Sequence, residues 1–332
     1  VGSVDKRAGH LLGVALGDAL GLYAEGLSTA RATRLMATPP RFRVVPGVGV
    51  VSDDTEQTAL VAEALISSGG DVEVGVRRFR RALVGWFLRL PSGIGLATAR
   101  ACLLMLAGVS RSGIASAGNG AAMRSGVIGV HFADDAAARR AWATRLAEVT
   151  HLDTRAVEAA RYVAELAAAC ARASADADRR ALVDAASAVV SEPSLLAAVE
   201  SARALAGRPV EEAAEALGTS GFVVHTVGVT TWAFLAPWPR PLDAITLAIA
   251  AGGDADTHAA IVGGWAGALH GAQALPSELV SRLAPGPFGP AHLEALARGE
   301  RPGWSAALAF ARNLALLPVV VVQAVLRLVV AR

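Results

Sequence analysis

Three short acidic stretches carry the chemistry open to this chain. Asp254, Asp256 and Thr257 stand in "GGDADTHAA", directly after a glycine pair. Ser52, Asp53, Asp54 and Thr55 stand in "VSDDTEQT", and Asp18 and Glu25 in "GDALGLYAEG". Each stretch marks a junction between a loop and a small-residue apolar run that reads as a helix. A helix N-cap uses one side-chain oxygen to accept from an orphan backbone N–H, and negative charge there suits the helix dipole. Capping therefore explains one acid per junction, whereas Asp53–Asp54 and Asp254–Asp256 supply two. Paired carboxylates repel unless a positive centre stands between them. Carboxylates beside hydroxyls are also the oxygen donors that Mg2+ or Mn2+ takes, with waters completing the shell. Whether two clusters about 200 residues apart meet is not written in their spacing.

A fourth stretch, "SAGNGAAMR" (residues 116–124), is a glycine-bracketed loop. Its backbone N–H groups could cradle a phosphate, and Arg124 could pair with one. An ordinary turn explains the same residues.

The elements that must position these groups read as helices. Of the 332 residues 53% are hydrophobic and 18% charged, without regular apolar–polar alternation, which favours a helical globule over an all-β or disordered chain. Helical patterns cover residues 5–20, 55–67, 72–88, 94–107, 136–149, 153–173, 179–190, 194–205, 210–217, 223–234, 241–250, 257–269 and 276–283. Gly263, Gly267 and Gly271 recur every four residues and leave one helix face bare, which predicts close approach of another helix. With no internal repeat or long linker, residues 1–300 are expected to form one all-α domain, followed by an apolar helical appendage over 301–332.

That appendage has a charge-free stretch at residues 313–326, interrupted by Pro318. It falls short of the roughly 20 apolar residues of a bilayer span. A buried terminal helix is the simplest reading, and a helix docking a partner or a membrane surface the other. The net charge of +2, without a basic stripe interleaved with aromatics, lacks the nucleic-acid footprint. Arg77, Arg78, Arg80 and Arg81 read as a solvated helix face. Cys102 and Cys170 match no metal or disulfide framework and are expected as buried thiols. Together with the lack of a signal-peptide pattern, they make a cytoplasmic setting the expectation.

Taken in order, these stretches resemble the ADP-ribosylglycohydrolase family, of the dinitrogenase reductase-activating glycohydrolase type. The resemblance runs over residues 9–276 through "GVALGDALGLYAE", "SDDTEQT", "GIGLAT", "SAGNGAAMR", "TH" at Thr150–His151 and "GGDADTHAA". It implies an orthogonal all-α bundle with a dinuclear metal site at helix N-termini. Ser52, Asp53 and Asp54 would ligate two Mg2+ or Mn2+ ions from one side. Asp254, Asp256 and Thr257 would ligate from the other, with Asp256 bridging. Implied too is hydrolysis of the glycosidic bond of an ADP-ribosylated protein or small molecule, with ADP-ribose as product. Glu25, Asp53 and Asp54 are the implied catalytic carboxylates. Ser116, Gly118, Asn119, Gly120, Met123, Arg124 and His151 are the implied substrate contacts. Two departures are Ser52, where many members have threonine, and Val127, where many have proline. Two other readings stay open: a dinuclear-metal hydrolase of another ribosylated or nucleotide-like molecule, and a catalytically silent ADP-ribose binder. Choice of leaving group would fall to loops such as 39–50 and 110–117.

Overall fold

The computed structural model describes residues 3–330, with side chains described through residue 318. Its helices begin with α1 (Val4–Gly21), α2 (Thr29–Leu35), α3 (Asp53–Ser67), α4 (Val72–Phe87), α5 (Leu96–Leu106) and α6 (Gly126–His131). Then come α7 (Ala136–Ala147), α8 (Thr154–Arg172), α9 (Arg179–Ser187), α10 (Pro193–Ala204), α11 (Val210–Leu217) and α12 (Val223–Leu235). The chain ends with α13 (Pro241–Ala250), α14 (Ala255–His270), α15 (Ser277–Val280), α16 (Pro290–Ala297) and α17 (Ala306–Val330). Among the described residues, extended pairing is confined to isolated bridges such as Ile114 with His151 and Gly118 with Phe222.

At the centre lies α14, buried from Ala255 through Leu269 and packed on α1, α8, α12 and α13. Glycine explains how it sits there. A Cβ on Gly13 would fall 2.1 Å from the Gly263 carbonyl oxygen, and one on Gly263 2.2 Å from that of Gly13. The two backbones are thus in direct contact, as the bare face of α14 predicts. Gly267 and Gly271 both pack against Gly9 on this face, Gly271 as the C-cap at φ 86°, its carbonyl carbon 2.7 Å from where a Gly9 Cβ would fall. At the other end, Gly21 abuts the Asp256 backbone, where a Cβ would come 2.6 Å from its Cα. The antiparallel crossing therefore brings the loop that carries Glu25 to the N-terminus of α14.

Around this pair, Trp86, Trp142, Trp232 and Trp265 are fully buried and fill the space that alanine-rich helices leave. Both cysteines are free and buried, and burial pushes the Cys102 thiol up to about 12. Helices α2, α6 and α16, of six to eight residues, lie outside the expected helical runs, although α11, equally short, coincides with one.

In its described part the terminal helix is not buried. Between Ala306 and Pro318 only Ala309 is buried, while Leu308, Phe310, Leu314 and Leu317 are exposed. Polar anchors hold it instead. Arg312 pairs with buried Glu56, and Asn313 Nδ2 donates to the Arg89 carbonyl at 2.8 Å. Among the described residues no helix is long and apolar enough to cross a membrane. The burial expected of the charge-free stretch 313–326 falls, from residue 319 on, outside the described side chains, and residues 331–332 lie outside the described residues.

Candidate active site

A cleft of about 620 Å3 opens where the N-termini of α3 and α14 meet. Thr257 Oγ1 donates to Asp54 Oδ2 at 3.2 Å, across 203 residues of sequence. The two acidic junctions do converge.

Asp18 and Ser52 build the first junction. The Asp18 carboxylate accepts from the Ser52 N–H at 2.9 Å, from the Thr55 N–H at 3.2 Å and from the Thr55 hydroxyl at 2.5 Å. The Ser52 hydroxyl accepts from the Asp54 N–H at 3.5 Å, as an N-cap does. Capping is thereby satisfied without the side chains of Asp53 and Asp54. Asp53 Oδ2 accepts instead from Gln57 Nε2 at 3.1 Å. At the second junction Asp254 occupies the cap position of α14 without a side-chain capping bond; its Oδ2 accepts from Asn119 Nδ2.

Two oxygens remain unaccounted for: Asp54 Oδ1 and Asp256 Oδ1 are buried without a hydrogen-bond partner. A buried ionised oxygen without a partner is costly. Burial, reinforced by neighbouring carboxylates, pushes Asp53, Asp54 and Asp256 well above the usual carboxylate range. Asp254 is raised by burial against the hydrogen bond from Asn119. Asp18 is raised to about 6 by burial, its hydrogen bonds opposing.

Carboxylates and hydroxyls in this setting are the donor set of a hard cation rather than of zinc. The unpartnered oxygens fit such a group. Among the described residues, however, no three His, Cys, Asp or Glu side chains are arranged as they stand to hold a metal ion. The carboxylates are turned onto Gln57, Asn119, Ser52 and Thr257.

The glycine-bracketed loop forms the opposite wall. Ile114 N–H donates to the Thr150 carbonyl at 3.0 Å, Leu152 N–H to the Ile114 carbonyl at 2.8 Å, and Asn119 N–H to the Gly221 carbonyl at 3.1 Å. Ser116 Oγ accepts from the Gly118 N–H at 3.2 Å, a local turn. His151 lies against this loop, and a Cβ on Gly120 would come 3.1 Å from its Cε1. Its Nδ1 is 2.8 Å from the Thr150 hydroxyl, and burial followed by the Arg124 charge lowers it to about 3. The imidazole is therefore neutral at physiological pH.

Of the residues expected at the site, Glu25, Asp53, Ser116, Gly118, Asn119, Gly120, Met123, His151, Asp254, Asp256 and Thr257 line the cleft. Ser52, Asp54 and Arg124 do not. Ser52 and Asp54 lie behind the wall, buried at the base of α3. Arg124 is buried too, and the phosphate contact expected of it meets a guanidinium already committed. Its Nη1 donates to Gln57 Oε1 at 2.9 Å and the Gly120 carbonyl at 2.7 Å, its Nη2 to Thr150 Oγ1 at 2.7 Å. Arg124 thus ties the loop, the His151 segment and, through Gln57, Asp53 into one network.

Sequence reasoning did not place Ser220, Gly221 and Gly253 in the cleft, nor the rim formed by residues 93–98. The rim was legible only as "GIGLAT". Gly93 has a physical reason to be there: its φ is +84°, and a Cβ would sit 2.5 Å from Asp53 Oδ1. "TSGF" at residues 219–222 is a turn signal without chemistry of its own.

Known proteins are similar to this chain over most of its length. The profile of the ADP-ribosylglycohydrolase family matches residues 3–312. An uncharacterized protein of Archaeoglobus fulgidus is 34% identical over 274 residues, 80% of this chain and 87% of that protein. ADP-ribosylarginine hydrolase Tri1 of Pseudomonas putida is 30% identical over 305 residues, covering 85% of this chain and 75% of the relative. A solved structure titled ADP-ribosylglycohydrolase-related protein complex superposes with a TM-score of 0.65 at 28% identity, over 93% of this chain and 98% of that one.

Proposed function

The chain belongs to the ADP-ribosylglycohydrolase family, and from that premise we propose that it is a Mg2+- or Mn2+-dependent hydrolase that frees ADP-ribose from ADP-ribosylated substrates, ADP-ribosylarginine first among them. Glycohydrolase activity is the general class that membership carries. The observation that supports metal dependence is the pair of buried, unpartnered oxygens, Asp54 Oδ1 and Asp256 Oδ1, where α3 meets α14. The arginine linkage is taken from the Tri1 relatives.

Ser52, Asp53 and Asp54 would hold the cations from α3, and Asp254, Asp256 and Thr257 from α14. When bound, the cations supply positive charge that lets these carboxylates ionise together and Lewis acidity toward ribose hydroxyls and water.

The chain's own residues do the rest. The cleft volume of about 620 Å3 is in the range that buries a ligand of nucleotide size. On the loop, the Ser116, Gly118 and Asn119 N–H groups are committed to the Ile114 carbonyl, Ser116 Oγ and the Gly221 carbonyl, so the Gly120 amide is the one the cleft wall would offer the pyrophosphate. Neutral His151, its Nδ1 engaged by Thr150, presents Nε2 to the loop side of the ligand. Cleavage at the anomeric carbon passes through an oxocarbenium-like transition state. A water oxygen forms the new bond to that carbon as the bond to the guanidino nitrogen breaks. Glu25 or Asp53, the carboxylates exposed to the cleft from the first two junctions, accepts the water proton, and the leaving nitrogen takes a proton back from that carboxyl or from solvent.

The test is incubation with a peptide bearing ADP-ribosylarginine, and in parallel ADP-ribosylserine, with Mg2+, with Mn2+ and with EDTA, following free ADP-ribose by chromatography. Release that stops with chelator is expected. Release indifferent to chelator refutes the metal, and tight ADP-ribose binding without turnover refutes the hydrolase.

A further inference from the structure

A second concavity, of about 690 Å3, opens beyond the C-terminal end of α5. Its charged lining is Arg77, Arg80, Arg111 and Arg145 with Glu73 and Glu148. Both acids are spoken for by Arg145, at 2.9 Å from Glu73 and 2.8 Å from Glu148. Arg80 donates to Ser112 Oγ at 2.7 Å and to the Val109 carbonyl at 2.8 Å, pinning the loop after α5 onto α4. Arg77 and Arg111 are exposed, and neither guanidinium has a hydrogen bond or ion pair to another described residue. The groove therefore carries an uncompensated positive charge that its own walls do not use.

Its position ties it to the cleft. Residues 110–113 edge the groove, while Ser116 and Gly118 to Gly120 line the cleft, so only the turn at residues 114–116, at most roughly 10 Å of chain, separates them. On the neighbouring segment His151 lines the cleft and Leu152 the groove. Helix α5 spans the same interval from the other end: Leu96 stands at the cleft, and the eleven residues of α5 run about 16 Å to the groove side. Along α5, Leu96, Leu103 and Leu106 are 77%, 56% and 48% exposed, at spacings that place them on one face. Apolar surface thus continues from the cleft toward the groove.

We infer that the arginine groove is an exosite for an acidic segment of a protein substrate, engaged while the ADP-ribosylated side chain of the same substrate occupies the cleft. The inference rests on the reaction proposed above and narrows its substrate class to proteins, since a metabolite filling the cleft would have no part reaching the groove. Unpaired guanidinium groups select carboxylates. Exposed leucines on α5, with exposed Leu152 in the groove itself, favour a polypeptide over a nucleic-acid backbone.

Two peptides test it, each with one ADP-ribosylarginine and, about six residues on to span the interval, a tail of glutamates in one and of glutamines in the other. Exposed ion pairs contribute little singly, so the glutamate tail should lower KM by about three- to tenfold with kcat unchanged, and added salt should erase the difference. The double variant Arg77→Ser/Arg111→Ser should lose the preference while keeping its rate on the glutamine peptide. Arg78→Ser, on the same helix but outside this groove, should retain it. Equal KM for the two peptides on the wild-type protein overturns the exosite, as does a double variant that keeps the preference. A single-stranded oligonucleotide that displaces the glutamate peptide more tightly than free glutamate peptide does would reassign the groove to nucleic acid and overturn it too. Fluorescence anisotropy with the same peptides separates the two claims. A tail preference in binding without release of ADP-ribose sinks the reaction and spares the groove; release without tail preference does the reverse.

Discussion

Asp256 shows what a single residue contributes here. It is 5% exposed, one carboxylate oxygen has no partner, and burial together with Glu25, Asp254 and Asp54 drives its carboxyl upward. A side chain so placed is a liability to the fold unless a cation stands beside it. Asp256→Asn should therefore lower metal-stimulated ADP-ribose release by more than about 100-fold, since even outer-shell partners of a metal cost 10- to 100-fold. Measured without metal at mildly alkaline pH, the same variant should melt no lower than the wild type. A variant that melts markedly lower would show Asp256 to be a structural residue. Arg124 is the opposite case, a charge committed to the scaffold. In Arg124→Lys the point charge cannot reach Gln57, Gly120 and Thr150 together. Affinity for ADP-ribose should drop by roughly tenfold, about 1.4 kcal/mol, as the loop loosens, which calorimetric titration would measure. Undiminished affinity would separate the network from ligand binding.

Among the elements, the crossing of α1 and α14 decides whether there is a site at all. Gly13 and Gly263 meet backbone to backbone, and a Cβ at 2.1 Å from a carbonyl oxygen has no flexible neighbour to displace. Gly13→Ala should force the helices apart at a cost of about 3 kcal/mol or more. Thermal melting should fall by several degrees, and activity should be lost in parallel, because Glu25 and Asp256 are carried on the two sides of that crossing. Melting unchanged by the substitution would mean that the helices do not approach as described. In α3 the division of labour is equally physical: Ser52 and Asp18 terminate the helix, which leaves Asp53 and Asp54 in the first turn, where the helix dipole favours negative charge.

For the molecule as a whole, the buried acids predict how stability responds to pH and cations. Asp18 is raised from 3.8 to about 6 in the folded state, and burial with the neighbouring carboxylates also raises Asp53, Asp54 and Asp256 well above the usual range. A folded state that binds its protons more tightly than the unfolded chain is stabilised below the unfolded carboxylate value. That advantage is lost as pH rises through the folded value. Without metal, the melting temperature should decline between about pH 4 and pH 7 on this account. Millimolar Mg2+ or Mn2+ should restore it at the upper end, with protons released on binding. A melting curve insensitive to both ions at neutral pH would contradict the cation reading. At the same scale α17 is held by Arg312 on Glu56, a residue one turn beyond Asp53, so the C-terminal helix braces the helix that opens onto the cleft.

Much of this architecture can be read along the chain. Periodicity, glycine punctuation and capping residues act within a turn or two, so most of the longer helices fall within a few residues of their expected bounds. The excess of acids at Asp53–Asp54 and Asp254–Asp256 was visible for the same reason, because a cap has a fixed local demand. Helices α2, α6 and α16 and the exposure of residues 306–318 of α17 were not legible, since what each packs against lies far along the chain. Folding in three dimensions settled the rest: that Thr257 reaches Asp54, that Asp18 takes over the capping of α3, that Arg124 turns inward, and that loose arginines gather beside the cleft. Each of these joins residues tens to hundreds of positions apart. Their partners are set by which helices can approach closely, a property of packed surfaces that no stretch of chain carries alone.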